Sequence, residues 1–309
     1  MVNTGDTAWI LTSAALVLLM TPGLALFYGG MVRVKSVLNM MMMSFGALAL
    51  ISVLWVLYGY SLAFGNDVGA GLLGSPTEFL GLHGLMEDLT SDSGGLPAMA
   101  FVAFQAVFAI ITVALISGAI ADRARFGTWM VLAGVWATLV YFPVAHWVFD
   151  FDAGSHVGGW IANNLLAIDF AGGTAVHINA GAAGLALALV LGKRRGFGKE
   201  PMRPHNLPLV MIGAGLLWFG CSGSTPGRRW PPTTPRRSPG STRSPPPVRP
   251  AWAGWQPSGC VTGTPRRWAR HRASSPAWWR SLRRVRRCRR WARSCSAPSP
   301  ACCALSPWD

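Results

Sequence analysis

The segment "PAMAFVAFQAVFAIITVALISGAIADRARF" (residues 97–126) decides the fold class of this chain. Its first 25 residues, Pro97–Ala121, carry no charged side chain, and the basic residues Arg123 and Arg125 follow almost directly. An α-helix rises about 1.5 Å per residue, so about 20 apolar residues cross a hydrocarbon core of roughly 30 Å. The segment is therefore typical of a membrane-spanning helix that ends at a charged boundary.

Four further stretches share this length and composition, and together the five predict an all-α, polytopic membrane protein. The predicted spans are Trp9–Met31, Val37–Phe64, Pro97–Ala121, Phe126–Phe149 and Phe170–Gly192. A sixth apolar stretch, Leu207–Gly220, holds about 14 residues, which is too few to cross a bilayer. The N-terminus does not resemble a secretory signal, because Asp6 precedes the first span and no Lys or Arg does.

Charged residues alternate between the segments that join the spans. Basic residues follow the first, third and fifth spans, and they are Arg33, Lys35, Arg123, Arg125, Lys193, Arg194, Arg195, Lys199 and Arg203. Acidic residues dominate after the second and fourth spans, and they are Asp67, Glu78, Glu87, Asp88, Asp92, Asp150 and Asp152. Since basic loops stay in the cytoplasm, the alternation predicts an N-terminus outside the cell.

The composition changes abruptly at Cys221. Residues 1–220 hold nine Lys and Arg against 11 Asp and Glu, whereas residues 221–309 hold 18 Arg and one acid. The second part contains all six cysteines and 15 prolines, and it shows neither helical nor strand periodicity. The sequence therefore predicts a membrane domain over residues 1–220 and a disordered basic tail over residues 221–309.

Two ionisable residues are candidates for function at the start of the fifth span. His177 lies about seven residues into it, roughly 10 Å below the membrane boundary on the helix rise. An ionisable group at that depth costs free energy and marks a functional site by default, although a neutral imidazole bonded across a helix contact is the alternative. Asp169 stands at the mouth of the same helix. It is placed to cap the first turn, to attract a cation, or both.

Phe104 and Phe108 are four residues apart and share one face of the third span. Taken alone, such a pair is more often packing or lipid-facing than functional.

Five motifs in order resemble the ammonium transporter (Amt/Rh) family over residues 8–220. They are "TPGLALFYGGMVRVKSVLNMMM" (21–42), "VLYGYSLAFG" (56–65), "VAFQAVFAIITVALISGAIADRARF" (102–126), "DFAGGTAVHINAGAAGL" (169–185) and "GKRRGFGKEPMRPHNLP" (192–208). The resemblance implies the N-terminal five to six helices of an eleven-helix fold whose N-terminus lies outside. In this family each subunit of a trimer has its own narrow pore.

The resemblance also implies roles for individual residues. Asp169 corresponds to the aspartate beneath the outer vestibule, Phe104 and Phe108 to vestibule and gate aromatics, and His177 to the first histidine of a pair that lines the pore. Phe149 stands where bacterial members often have a tryptophan; its ring is a weaker cation–π partner. The implied mechanism is deprotonation of ammonium followed by conduction of ammonia through a hydrophobic pore.

The resemblance implies further expectations about partners and location. The implied partners are ammonium or ammonia, the lipid bilayer, two further copies of the chain and a PII-type signalling protein, and the implied location is the plasma membrane. No enzyme motif stands in the sequence, and no cofactor, metal or nucleic acid is expected. The cysteines of the tail lack the spacing of a structural zinc site.

The tail has a simple explanation as a shifted reading frame. The family continues after "LLWFG" (216–220) with Trp-Phe-Gly-Phe-Asn-Ala-Gly. If that segment is written in GC-rich codons and one base is deleted from its first codon, the translation becomes Cys221–Gly227. Translation of the following codons in the same shifted frame gives the sequence up to Pro232. The tail also lacks Lys, Asn, Ile, Phe, Tyr, Met and Glu. The alternative is a membrane-anchored sensor, or a protein whose basic tail binds nucleic acid, since arginine and tryptophan suit phosphates and bases.

Overall fold

Six helical segments long and apolar enough to span a membrane make up the described part of the chain. The computed structural model describes residues 2–86, 96–169, 171–194, 196–200 and 202–227. The segments are α1 (Thr4–Met31), α2 (Val34–Phe64), α3 (Ala98–Ile120), α4 (Phe126–Phe149), α5 (Gly173–Leu191) and α6 (Leu207–Gly227). The prediction of an all-α polytopic membrane protein is confirmed. Some earlier predictions lie outside these residues: the acidic positions 87, 88 and 92, the basic position 195, and disorder from residue 228 onward.

Three of the segments contain a π-helical stretch, which the apolar pattern did not predict. The stretches are Trp55–Gly59 in α2, Ala137–Tyr141 in α4 and Gly173–Ile178 at the start of α5. The other short elements are a 3₁₀ turn at Leu80–Leu82 and a helix at Trp160–Asn163. Single π turns inside helices are rare and recur at functional sites.

The turns that follow α1, α3 and α5 meet at one end of the bundle, the basic end. Arg33 at the end of α1 donates to Asp122 after α3, with Nε and Oδ2 3.1 Å apart. Arg123 donates to the Gly192 carbonyl after α5. Across the same end, the Asn206 N–H bonds to the Gly30 carbonyl. The basic residues of these three turns therefore share one side, as their alternation predicts.

The loops that follow α2 and α4 meet at the opposite end, the acidic end. The N–H of Asp67 donates to the carbonyl of Val157 at 2.9 Å, and the Trp147 indole donates to the carbonyl of Leu72 at 2.7 Å. The N–H of Trp160 donates to the Gly71 carbonyl at 3.1 Å. These bonds join two loops that are far apart in sequence into one cap.

The helix α3 lies at the centre of the bundle. Every residue of Val107–Ala114 is buried, so this stretch of the helix is surrounded by protein on all sides. A helix that is apolar all round is expected at the centre of a helical assembly. Polar side chains on α3 bond back to their own helix, as Thr112 does to the Phe108 carbonyl at 2.5 Å.

The helices α1 and α6 approach each other closely because a glycine of α6 lies at their contact. A Cβ atom on Gly213 would stand 2.4 Å from the Phe27 nitrogen and 2.7 Å from the Gly23 oxygen. Both neighbours are backbone atoms, so no side-chain rotation relieves such a clash. Small residues at this position are what membrane helices use for close packing.

The sixth span is longer than expected, and the prediction that it is too short to cross was wrong. It forms a helix over Leu207–Gly227, of which Leu207–Ser224 is long and apolar enough to span. Residues 221–224 are small, and the hydroxyls of Ser222 and Ser224 bond within the helix. Ser224 Oγ, for example, donates to the Cys221 carbonyl at 2.8 Å. The predicted division at residues 220 and 221 therefore falls inside a continuous helix.

Candidate functional site

Asp169 caps the first turn of α5. Its Oδ1 accepts from the N–H of Gly173 at 2.7 Å, and its Oδ2 accepts from Thr174 at 2.7 Å and Ala175 at 3.3 Å. The first N–H groups of a helix have no partner inside it, and a carboxylate there also complements the helix dipole. The structure thus shows the capping role. A role toward a cation stays a prediction.

His177 lies in the π-helical stretch that Asp169 caps. Its N–H donates to the carbonyl of Gly172, five residues earlier, at 2.9 Å. His177 is exposed, as are Gly173, Gly181 and Leu185, which stand one helical turn apart along the same stripe. The imidazole makes no hydrogen bond to any described residue, and its role in a pore stays a prediction.

Phe104 and Phe108 form an edge-to-face pair in the middle of the bundle. Their ring centroids are 5.1 Å apart with an interplanar angle of 76°, and both side chains are buried. The pair belongs to an apolar cluster that includes Val17 of α1 and Val176 of α5. Since Val176 precedes His177, the structure brings the aromatic pair to the stretch that bears the histidine.

Phe149 ends α4 and lies in a different apolar cluster. It is buried in the main core, which also holds Trp55, Phe64 and Phe142, whereas Phe104 and Phe108 belong to the second cluster. The last turns of α4 do approach the first turn of α5. The structure therefore groups four of the five predicted residues around the start of α5 and places Phe149 in the neighbouring core.

A second group of ionisable residues, which sequence reasoning missed, lies at the acidic end. We call Asp67, His146, Asp150 and His156 the His–Asp cluster. Asp150 Oδ2 is 3.2 Å from Nδ1 of His146 and 2.9 Å from Nε2 of His156, and His146 Nε2 is 3.4 Å from Asp67 Oδ1. His146 is fully buried. The sequence did offer a signal, namely a histidine inside an apolar span four residues before an aspartate.

The His–Asp cluster does not have the arrangement of a metal site. In the described part of the chain, no group of three or more His, Cys, Asp or Glu side chains is placed to hold a metal ion. The cluster instead consists of two carboxylates, each within ion-pair distance of a histidine ring.

The six apolar spans, the basic turns at one end and the carboxylates at the other are the features of a multi-pass membrane protein. The chain belongs to the Ammonium Transporter Family, whose family model matches residues 8–235. The resemblance noted in the sequence is therefore confirmed.

Curated relatives and solved structures agree with this assignment. An ammonium transporter of Mycobacterium tuberculosis is 64% identical over 239 residues, covering 72% of this chain and 50% of the relative. An ammonium transporter of Corynebacterium glutamicum is 49% identical over 228 residues. The crystal structure of Saccharomyces cerevisiae Mep2 matches with a TM-score of 0.65 and 35% identity, over 74% of this chain and 50% of Mep2. This chain thus spans about half the length of the relatives it matches.

Proposed function

We propose that this sequence derives from an ammonium transporter, and that its described part carries one half of the conducting pathway. The observation that supports the proposal is the convergence of Asp169, the pair Phe104 and Phe108, and His177 at the start of α5 in a chain of this family. In this reading, the exposed stripe through His177 faces the pore.

The chemistry follows from the cost of moving a cation through an apolar pore. Ammonium would arrive at the acidic end, where the carboxylates of the loops favour a cation. It must then lose its proton, because a bare cation is far more costly than neutral ammonia in an apolar passage. Ammonia would pass the imidazole of His177, and the proton would follow a separate polar route. Potassium has no proton to release and would be rejected.

Orientation, location and assembly belong to the same proposal. The basic end would face the cytoplasm and the N-terminus the outside of the cell, in the plasma membrane. A homotrimer and a PII-type partner at the basic end are the assembly that the family implies. We also infer that residues from Cys221 onward are read in a shifted frame.

The 309-residue chain itself is expected to be inactive. Its stripe through His177 is exposed along α5, and the second histidine that the family places opposite belongs to the later helices of the fold. Half of a pore lining does not exclude water or lipid from the passage.

Growth of a cell that lacks its own ammonium uptake tests the proposal. We expect a form with one base restored at codon 221 to support growth at low ammonium and mildly acidic pH, where free ammonia is scarce. The 309-residue form should not. Equal growth with both forms would contradict the inactivity of the chain, and no growth with either, despite membrane insertion, would contradict the transport function.

A sensory role is the second candidate function. It is favoured by the likeness to a structure named Sensor Amt Protein, with a TM-score of 0.65 and 27% identity over 72% of this chain. A sensor would respond to ammonium without sustained uptake, which the same growth assay separates from transport.

A further inference from the structure

We propose that Asp150 is a positioning residue for the proposed site. The Asp150 carboxylate lies between His146 and His156 and fixes residues 150–169, the segment that joins Phe149 to Asp169. This attachment weakens when His156 loses its proton. The consequence for transport rests on the proposed function. The attachment of the segment through Asp150 does not depend on the proposed function.

The backbone around Asp150 supports the proposal. Its carbonyl accepts from the N–H of Gly159 at 3.0 Å and from the Asn163 amide at 3.2 Å, so the segment folds back onto the end of α4. A Cβ atom on Gly159 would lie 2.0 Å from the His146 carbonyl oxygen. This contact therefore admits only glycine, and it places the segment directly against the residues that hold Asp150.

His146 anchors the other side of Asp150. Its Nδ1 is 3.2 Å from the Asp150 carboxylate and 3.3 Å from the Ala63 carbonyl, and its Nε2 is 3.4 Å from Asp67. Every neighbour of the ring nitrogens is an acceptor, so the ring satisfies both sides best when each nitrogen carries a hydrogen. Asp150 is thereby linked to the loop after α2.

Asp67 remains charged in this arrangement. Burial acts to raise the pKa of its carboxyl, but backbone N–H groups of Gly69, Gly71 and Leu73, together with His146, outweigh burial and lower that pKa below its ordinary value. Asp67 is therefore a negatively charged partner for the buried ring of His146.

His156 is the member of the cluster that solvent reaches. Its side chain is 26% exposed, whereas that of Asp150 is 7% exposed. The hydrogen bond to Asp150 raises the pKa of His156 above its ordinary value, against the opposing effect of burial, and the charges of Asp150, Glu78 and Asp152 add to the rise. Because the folded-state pKa is raised, the stabilisation is complete below about pH 6.5 and is lost as the pH rises through the folded-state pKa.

Amide hydrogen exchange on the 309-residue chain in lipid nanodiscs tests the hold directly. We expect protection of residues 151–164, corrected for the intrinsic rate, to fall about tenfold between pH 6 and pH 8, the scale of one charge-assisted hydrogen bond. His156→Gln should abolish this pH dependence and show the low protection at both values. Asp150→Asn should likewise show low protection at both pH values. If Asp150→Asn does not fold, the result for His156→Gln alone decides the test.

His83→Gln is the matched control, because His83 is an exposed histidine of the same end that lies outside the cluster. It should keep the wild-type pH dependence. Unchanged pH dependence in His156→Gln, or equal protection at both pH values in the wild type, would overturn the inference.

Uptake by the frame-restored form separates this inference from the proposed function. His156→Gln should raise the ammonium concentration for half-maximal uptake about threefold at pH 6, with the maximal rate nearly unchanged, whereas His83→Gln should not. Wild-type kinetics in His156→Gln would overturn the positioning role and leave the transport function standing. Absence of transport in the restored protein would defeat the proposed function, while the exchange result would stand.

Discussion

Replacing Asp169 with alanine removes the cap of α5 and tests how the helix that bears His177 is held. The carboxylate accepts three backbone hydrogen bonds, from residues 173, 174 and 175, at 2.7, 2.7 and 3.3 Å. Asp169→Ala leaves all three N–H groups without their partner, at the end of a helix whose dipole favours negative charge. The adjoining π-helical stretch then loses the contacts that define its first turn.

The magnitude follows from the number of bonds and from exposure. Loss of an ordinary N-cap costs about 0.5–2 kcal/mol. Asp169 bonds three amides but is only half-buried, so water replaces part of what is lost. We therefore expect Asp169→Ala to cost about 2 kcal/mol. Asp169→Asn should cost about 1 kcal/mol, because one amide oxygen cannot serve all three donors.

Reversible unfolding in mixed micelles, followed by circular dichroism, measures this cost. The control is Asp6→Ala: Asp6 is a partly exposed acid in the first turn of α1, and among the described residues its side chain accepts a hydrogen bond from the nearby Asn3 side chain. This control should change the free energy of unfolding by less than about 0.5 kcal/mol. If Asp169→Ala unfolds at the same point as the control, the carboxylate does not hold the helix, and the capping argument is refuted.

Two further changes test the helix contact and the histidine. Gly213→Ala should lower the free energy of unfolding by about 1–3 kcal/mol, because the added methyl meets the α1 backbone. Gly215→Ala is the control and should be neutral or stabilising, because nothing lies within 4 Å of the added methyl. Equal unfolding free energies of the two variants would contradict the close contact. In the frame-restored form, His177→Ala should change ammonium conduction or selectivity at unchanged insertion, measured as reconstituted uptake per folded molecule. Lower folded yield with unchanged uptake per molecule would assign His177 to packing.

The sequence by itself determined the class of the fold, the position of the spans and the side on which each turn lies. Predicted and observed spans agree closely: Phe126–Phe149 is identical, and Pro97–Ala121 is observed as Ala98–Ile120. Apolar length and charge placement decide these features, and both are properties of short stretches of chain. Asp169 and His177 became candidates for the same reason, since an ionisable residue stands out in an apolar run.

Only the tertiary structure decided features that depend on contacts between distant segments. Asp67 and His146 are 79 residues apart, and nothing in either stretch indicates that the other faces it. The close contact at Gly213 and the continuation of α6 past Gly220 are decided by packing on α1. The separation of Phe149 from Phe104 depends likewise on how the helices pack. The free energies of these side chains depend on how they are paired and packed. Both depend on contacts between segments that are distant in sequence, so the sequence pattern alone does not indicate them.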